Sequence, residues 1–356
     1  MEKKNYTIDL LRFIFCIVIM LFHISGEIEG TPFNFGYMGV EFFFIVTGYY
    51  LTAHAMKVIR GGQFSVGRET CEYLWKRIKS VACPYYVGWL LMFLIIHLRN
   101  DKLVVYKDLP QSIYELLMLI FVAPNHAFIS NGISWYIPAM LVIIFCIYPM
   151  LLKYSDIYVN VLSLPISFIS LSVLMNNTPR LCYVFEHIYG IDKGVWRGIL
   201  GIHLGIFLYG IVLRVRNRVR TAAVSSPFLI CISIIQVFLI EQALQYVIVY
   251  NIGSYDYYFI PLIWIILMIT FSYDTFLEKV LSKLKFIPFL GKISLYMYLL
   301  QSPVNTFFYV FRHKVGGNVV IACMIYICIT LMISVVLYEI QKYASKMMAR
   351  RENQIQ

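Results

Sequence analysis

The strongest constraint in this chain is a succession of apolar runs, each close to the roughly 20 residues a helix needs to cross a hydrocarbon core of about 30 Å. Ten such runs can be read, at roughly 8–28, 37–57, 81–98, 134–153, 157–175, 196–214, 226–249, 257–273, 289–310 and 318–341. Backbone in lipid must satisfy its own hydrogen bonds, so runs of this length fold as helices rather than as the short alternating strands of a barrel. Composition agrees. Of 356 residues, 60% are hydrophobic and 14% charged, against about 45–50% and about 25% in a soluble domain. The mean hydropathy is +0.74. The expected fold is all-α, a polytopic membrane helix bundle of about ten transmembrane helices. One domain is expected over 1–345, with a basic and polar tail over 346–356. A shorter apolar piece, roughly 113–123, cannot cross and is expected to be re-entrant or interfacial.

Charge sets the orientation. The net charge is +11, from 30 Lys and Arg against 19 Asp and Glu. With the N-terminus in the cytoplasm, 20 of the Lys and Arg fall on the cytoplasmic side and 7 on the other. Arg12, Arg197 and Lys292 lie at or inside span ends. Cytoplasmic loops collect positive charge, so this asymmetry predicts an even number of crossings with both termini inside. It also accounts for the basic excess without nucleic acid. The eight cysteines form no CxxC pair and lie mostly in apolar runs, which reads as packing rather than metal binding or catalysis. No cleavable leader is expected, because the first apolar run is long enough to span and no small-residue cleavage site follows it. No internal repeat stands out, and no soluble domain is expected after the last span.

Ionisable groups inside spans are costly and mark functional candidates. Arg12 and His23 lie on the first span, Glu41 on the second and Arg197 at the start of the sixth. If the second span enters from outside near Tyr37, His23 and Glu41 both lie roughly 22–24 Å from the inner face, and Arg12 lies roughly 16 Å below His23. A His23–Glu41 pair is then expected, with the carboxylate fixing the imidazole tautomer for a general base. Each residue also has an ordinary reading. His23 can be a buried histidine bonded to backbone, Arg12 can snorkel to the inner headgroups, Glu41 can be an interfacial carboxylate, and Arg197 beside Trp196 an interfacial anchor. The remaining histidines, His54, His97, His126, His187, His203 and His313, have no metal-ligand spacing and read as packing or interfacial residues.

Several segments carry a family resemblance. Tyr6-Thr-Ile-Asp-Leu-Leu-Arg12, ten residues, then His23 resembles the Arg-x10-His signature of acyltransferase family 3, multi-span membrane acyltransferases of bacteria and some animals. Gly39-Val-Glu41-Phe-Phe-Phe-Ile-Val-Thr47-Gly48 resembles that family's second-span pattern, with Thr for the usual Ser. Lys76-Arg77-Ile-Lys79-Ser80-Val-Ala-Cys-Pro84-Tyr85 resembles its basic segment, and Ser134-Trp135-Tyr136-Ile its Trp-Phe-x-Leu segment. Leu290-Gly291-Lys-Ile-Ser294-Leu-Tyr296-Met-Tyr298-Leu-Leu-Gln301-Ser-Pro303 resembles its late Leu-Gly-x-x-Ser-x-x-x-Tyr-Leu-x-His-x-Pro. The order of the segments matches from residue 6 to 303. Two positions depart: Ser80 replaces the second Arg of an Arg-x-x-Arg, and Gln301 replaces the late His.

The resemblance implies transfer of an acyl group, usually acetyl, from cytoplasmic acyl-CoA to a hydroxyl of an extracytoplasmic glycan or lipid-linked sugar, in a bacterial cell membrane. It implies His23 as the catalytic residue, with Arg12 as its motif partner; the depth argument adds Glu41 as the support of His23 acting as a base. The donor's phosphates are expected at Arg77, Lys76, Lys79 and Arg12. Acceptor recognition is expected at the outer ends of the spans, near Arg197, Trp135 and the loop at 176–195, with Gln301, Thr47 and Tyr298 as hydrogen-bonding groups. No metal is expected, and the partners are membrane lipids and the acceptor. Two rivals from other classes are a small-solute transporter, resembling the membrane portion of amino-acid racemases, and a scaffold for a glycan-assembly complex.

Overall fold

The computed structural model describes residues 4–25, 33–98, 102–124, 127–221, 225–249, 256–311 and 319–355. They form a helical bundle. Helix α1 (Tyr6–Ser25) is followed by a 3-10 turn at Gly36–Met38 and α2 (Gly39–Arg60), then α3 (Val66–His97). Short helices α4 (Lys102–Gln111) and α5 (Ile113–Leu116) precede α6 (Tyr136–Ile157) and α7 (Ser163–Asn177). A two-residue hairpin, β1 (His187–Ile188) against β2 (Ile191–Asp192), leads into α8 (Lys193–Thr221). Then come α9 (Ser226–Val249), α10 (Asp256–Ser272), α11 (Phe276–Leu281), α12 (Ile287–Phe311) and α13 (Val319–Ile355). Tyr189 and Gly190 both have positive φ, at 51° and 76°, as a tight two-residue hairpin turn requires.

Seven helical runs among the described residues are long and apolar enough to cross a membrane. One of them, 132–177, contains both of the spans expected at 134–153 and 157–175. No loop separates them. The helix kinks at Tyr154, where φ is −129° and ψ is 40°, and passes through a π-helical turn at Tyr158–Leu162. The two legs run in opposite directions. Trp135, before the first leg, lies against Arg197 in the first turns of α8. Asn160 meets Arg214 near the other end of α8, and the Thr178 carbonyl accepts from Tyr257 at the start of α10. The 17-residue α10 and the 25-residue α12 complete the set of expected spans. The 113–123 piece holds only α5 and a 3-10 turn, as its length dictates. It is anchored by Glu115, fully buried, which accepts from the Ser130 and Asn131 backbone N–H groups and the Ser130 hydroxyl. Burial raises the Glu115 pKa above the ordinary carboxylate value, and these hydrogen bonds offset part of that rise.

The third span differs from expectation. Its helix begins at Val66, well before the apolar run at 81, so the basic residues 68–79 are helical rather than loop. The chain turns at Gly61 and Gly62, the latter at φ 97°, and meets no proline until Pro84. Both ends of the bundle's chain lie at one end of the fold. Tyr6 and Thr7 donate to Glu278 in the first turn of α11, Gly291 of α12 packs on Asp9, and Tyr338 of α13 packs on Phe289. Among the described residues, this end carries Lys4, Arg12, Lys57, Arg60, Arg77 and Arg216.

Helix α2 runs through the middle, against α1, α6, α8 and α10. Its closest approach is to α8. A Cβ built on Gly48 would lie 2.0 Å from the Ile202 carbonyl oxygen, and one on Gly205 2.0 Å from that of Ile45. Lipid supplies no hydrophobic drive between helices, so close backbone packing through small residues holds them together. Apolar side chains such as Leu94, Phe145, Phe168, Phe238, Val320 and Met324 are exposed around the outside, where acyl chains would cover them. Gly205→Val is expected to cost about 2 kcal/mol or more, because the added methyl groups meet backbone that has no rotamer to change. Fluorescence-detected size-exclusion chromatography after a heating series should show a lower midpoint for Gly205→Val than for wild type; an unchanged midpoint would contradict the close contact.

Candidate active site

At the end of the bundle away from the termini, one arginine organises five segments. Arg197 is 1% exposed; its Nε donates to Glu41 Oε1 at 2.6 Å, and Glu41 is also 1% exposed. Its two terminal nitrogens donate to the backbone carbonyls of Leu181, at 2.7 Å, and Tyr37, at 3.1 Å. The guanidinium lies over the Trp135 ring, 5.1 Å from its centre. Asp256, at the start of α10, accepts from the Tyr37 hydroxyl and the Leu181 N–H, both at 2.7 Å. Glu41 Oε2 and Asp256 Oδ1 are buried without a hydrogen-bond donor among the described residues. Arg197 and Trp135, expected at the acceptor, thus sit inside a closed polar knot that ties α2, α6, α8, α10 and the 178–193 segment together.

The expected His23–Glu41 pair is not formed, and register is the reason. The second span does not begin at the outer surface. A Cβ on Gly36 would lie 2.4 Å from the Val18 carbonyl oxygen, and the Phe15 and Phe42 rings are 4.9 Å apart. The chain has therefore already descended beside α1 before α2 starts. Glu41 falls level with residues 15–16 of α1, so His23 stands roughly 11 Å further along the bundle axis. The His23 ring packs edge-on against Phe22, and its backbone carbonyl accepts from Asn305 of α12 at 3.3 Å. No hydrogen bond to the His23 ring is formed among the described residues, so Glu41 does not orient it.

The opposite end is open. A cavity of about 1210 Å³ lies among α1, α2, α3 and α8 and the ends of α9 and α10. Three of the expected site residues line it: Arg12, Thr47 and Arg77. Arg12 pairs with Asp9 at 3.5 Å and lies over the Tyr50 ring. Arg77 donates twice to the Tyr73 hydroxyl, at 2.8 and 3.1 Å. Lys76 and Lys79 do not line the cavity. On a helix the residues one before and two after Arg77 point elsewhere; Lys76 reaches Glu72 on the surface with its side chain 72% exposed, and Lys79 lies over Trp75.

From the cavity floor a column of polar and aromatic groups leads to His23. Thr47 bonds the Tyr136 hydroxyl at 2.8 Å, and the Tyr136 and Tyr298 rings meet edge to face. Tyr298 donates to the Ile133 carbonyl at 2.6 Å. Gln301, fully buried, donates to the Tyr298 carbonyl at 2.9 Å. One turn on, Asn305 reaches the His23 carbonyl. The side-chain oxygens of Gln301 and Asn305 are buried and accept no hydrogen bond among the described residues. Thr47, Tyr298 and Gln301 are thereby brought between Arg12 and His23.

The family described as an acyltransferase domain matches residues 5–339. The chain belongs to that acyltransferase family. No curated protein and no solved structure matches it. The acyltransferase is a multi-pass protein embedded in a membrane. Sequence reasoning missed the cavity residues His54, Lys57, Arg60 and Arg216, and it missed Asp256. In the sequence, Lys57, Arg60 and Arg216 are simply among the 20 cations of the cytoplasmic side, and His54 has the ordinary reading of a packing or interfacial residue. The signal for Asp256 was present: an acid immediately before an apolar run, at the depth where Arg197 needs a counter-charge.

Removing one partner of a buried ion pair leaves the other uncompensated and costs about 3–5 kcal/mol. Arg197→Leu is therefore expected to abolish or sharply reduce recovery of folded protein. Glu41→Gln should be milder, since Arg197 keeps its two carbonyl acceptors and Asp256 nearby. Thermal stability of the purified variants checks this order, and equal stability of Arg197→Leu and wild type would dissolve the knot.

Proposed function

We propose that the acyltransferase moves an acyl group, acetyl by preference, from cytoplasmic acyl-CoA to a hydroxyl of an extracytoplasmic glycan or lipid-linked sugar, in a bacterial cell membrane. The observation that carries this reading is the cavity at the basic end, with Arg12 and Arg77 on its walls and the Thr47–Tyr136–Tyr298 column rising from its floor toward His23. CoA is a substrate with charged phosphates at one end and an uncharged thioester arm at the other. The phosphates stay where cations and water are, and the arm passes inward. The unpaired oxygens of Gln301 and Asn305 suit an arm or acceptor that brings N–H or O–H donors.

In the proposed step His23 takes the proton from the acceptor hydroxyl as its oxygen bonds to the thioester carbonyl carbon. The tetrahedral intermediate collapses, the carbon–sulfur bond breaks, and the imidazolium returns the proton to the leaving thiolate. An ester and free CoA result. Arg12, roughly 16 Å below His23 on the same helix, is too far to touch the reacting carbonyl and instead holds the donor. Glu41 belongs to the Arg197 knot and acts by fixing α2, not by contact with His23.

His23→Gln is expected to lower acyl transfer by about 10²–10⁴-fold, the span of a general base, while leaving CoA binding and folding unchanged. Arg12→Gln should raise the KM for acyl-CoA with a smaller change in kcat. Base-labile acyl content of surface glycans, in cells with equal membrane abundance of each variant, provides the first readout. Transfer by His23→Gln at the wild-type rate would overturn the assignment.

A further inference from the structure

The cavity holds six cationic side chains, Lys4, Arg12, Lys57, Arg60, Arg77 and Arg216, against two acidic ones, Asp9 and Asp274. Among the described residues, three of the guanidiniums are held by neutral acceptors. Arg60 donates to the Tyr209 hydroxyl at 3.3 Å, Arg216 to the Phe271 carbonyl at 2.6 Å, and Arg77 to the Tyr73 hydroxyl. None of the three has a carboxylate within ion-pair distance among the described residues. Charges elsewhere on the helix surfaces behave differently: Arg68 and Lys76 pair with Glu72, and Lys342 pairs with Glu339. Orientation in the membrane needs cations on this side, but it does not need them to converge, oriented and unpaired, on one cavity.

Their placement defines two poles. Arg77 stands on α3, its ring partner Tyr73 stacked on Tyr148. Arg60 and Lys57 stand at the end of α2, and Arg216 in the last turns of α8. Aromatic rings line the second pole: Tyr50 and Tyr209 face the cavity, as does Tyr49, which is stacked on Phe271 at 3.7 Å. Cations on two walls with aromatic faces beside one group are the chemistry of a nucleotide carrying several separated phosphates. A lipid headgroup with a single phosphate would use one pole. We propose that Arg60 and Arg216, with Lys57, form a second phosphate-binding pole for the nucleotide end of the donor, on a different wall from Arg77, and supply the charge that Ser80 leaves out of the basic segment. This inference rests on acyl-CoA as donor.

The test is calorimetric binding of CoA, and of phosphate-free pantetheine, to the purified full chain in phosphatidylcholine nanodiscs. Arg60→Gln and Arg216→Gln are each expected to weaken CoA binding about tenfold, and the double variant by about a hundredfold. Pantetheine binding and the surface control Arg68→Gln should match wild type. Arg216→Lys, which keeps the charge, should retain more affinity than Arg216→Gln. This graded loss separates a phosphate contact from a folding defect. Unchanged CoA affinity in the double variant, or equal loss of CoA and pantetheine, would overturn the second pole and leave the donor reading standing. If the double variant instead loses binding of phosphatidylglycerol added to the nanodiscs while binding CoA normally, the pole holds a lipid headgroup and the proposal falls. A wild type that binds no CoA would sink both the pole and the donor. Acyl transfer by His23→Gln, with CoA still bound through Arg60 and Arg216, would sink only the mechanism.

Discussion

An arginine guanidinium enclosed by helices in a membrane has no water to turn to, and every neighbour of Arg197 is placed to answer that. Its charge is met by Glu41, its remaining N–H groups by the carbonyls of Tyr37 and Leu181, and its face by Trp135. These partners come from the second helix, the turn before it, the segment leading to the β1–β2 hairpin and the entry to the sixth helix. Asp256 then fastens Tyr37 and Leu181 from the tenth. Loss of the arginine would strand Glu41 and Asp256 together in the same low-dielectric site. The knot closes one end of the bundle and fixes the depth at which α2 begins.

That closure gives the other end its freedom. The glycine contacts of Gly48 and Gly205 bring α2 and α8 together at mid-depth, and beyond them the two helices carry Lys57, Arg60 and Arg216 to the rim of an open cavity. The same kind of group therefore plays opposite parts at the two ends. Arg197 is neutralised by a carboxylate and sealed. Arg60, Arg77 and Arg216 are held in position by hydroxyl or carbonyl oxygens, which orient a guanidinium without cancelling its charge. A positive potential survives only in the second arrangement.

Much of this was legible in the sequence because hydropathy and charge asymmetry are one-dimensional signals. Runs of apolar residues set the helices, and the distribution of Lys and Arg set which ends share a side. Arg12, Arg77, Thr47, Tyr298 and Gln301 are singled out by pattern; the first three line the cavity, and Tyr298 and Gln301 lie on the way from it to His23. The pairing of Glu41 was not legible. It depended on where the second helix begins relative to the first, and Gly36 and Gly39 let the chain tuck against α1 at a depth that no hydropathy run reports. A few residues of axial offset were enough to exchange one partner for another. The basic segment misled for a related reason. As a loop its three cations could all face one ligand, whereas as part of α3 only Arg77 can, and the helix phase sends Lys76 and Lys79 outward.

The separation of Arg12 and His23 on one helix carries a further consequence. Ten intervening residues hold the two side chains on nearly the same face but roughly 16 Å apart along the axis. No small ligand touches both. A donor that is charged at one end and neutral along an extended arm can lie beside the helix with its phosphates at the arginine and its reacting carbon near the histidine. Moving the phosphates themselves across the bundle would require the Tyr136–Tyr298 column and the buried Gln301 to give way to a hydrated path. Leaving them at the rim requires only that a slender neutral chain pass those rings. In the proposed reaction the arm does the crossing, and what leaves on the far side is an ester rather than a transported solute.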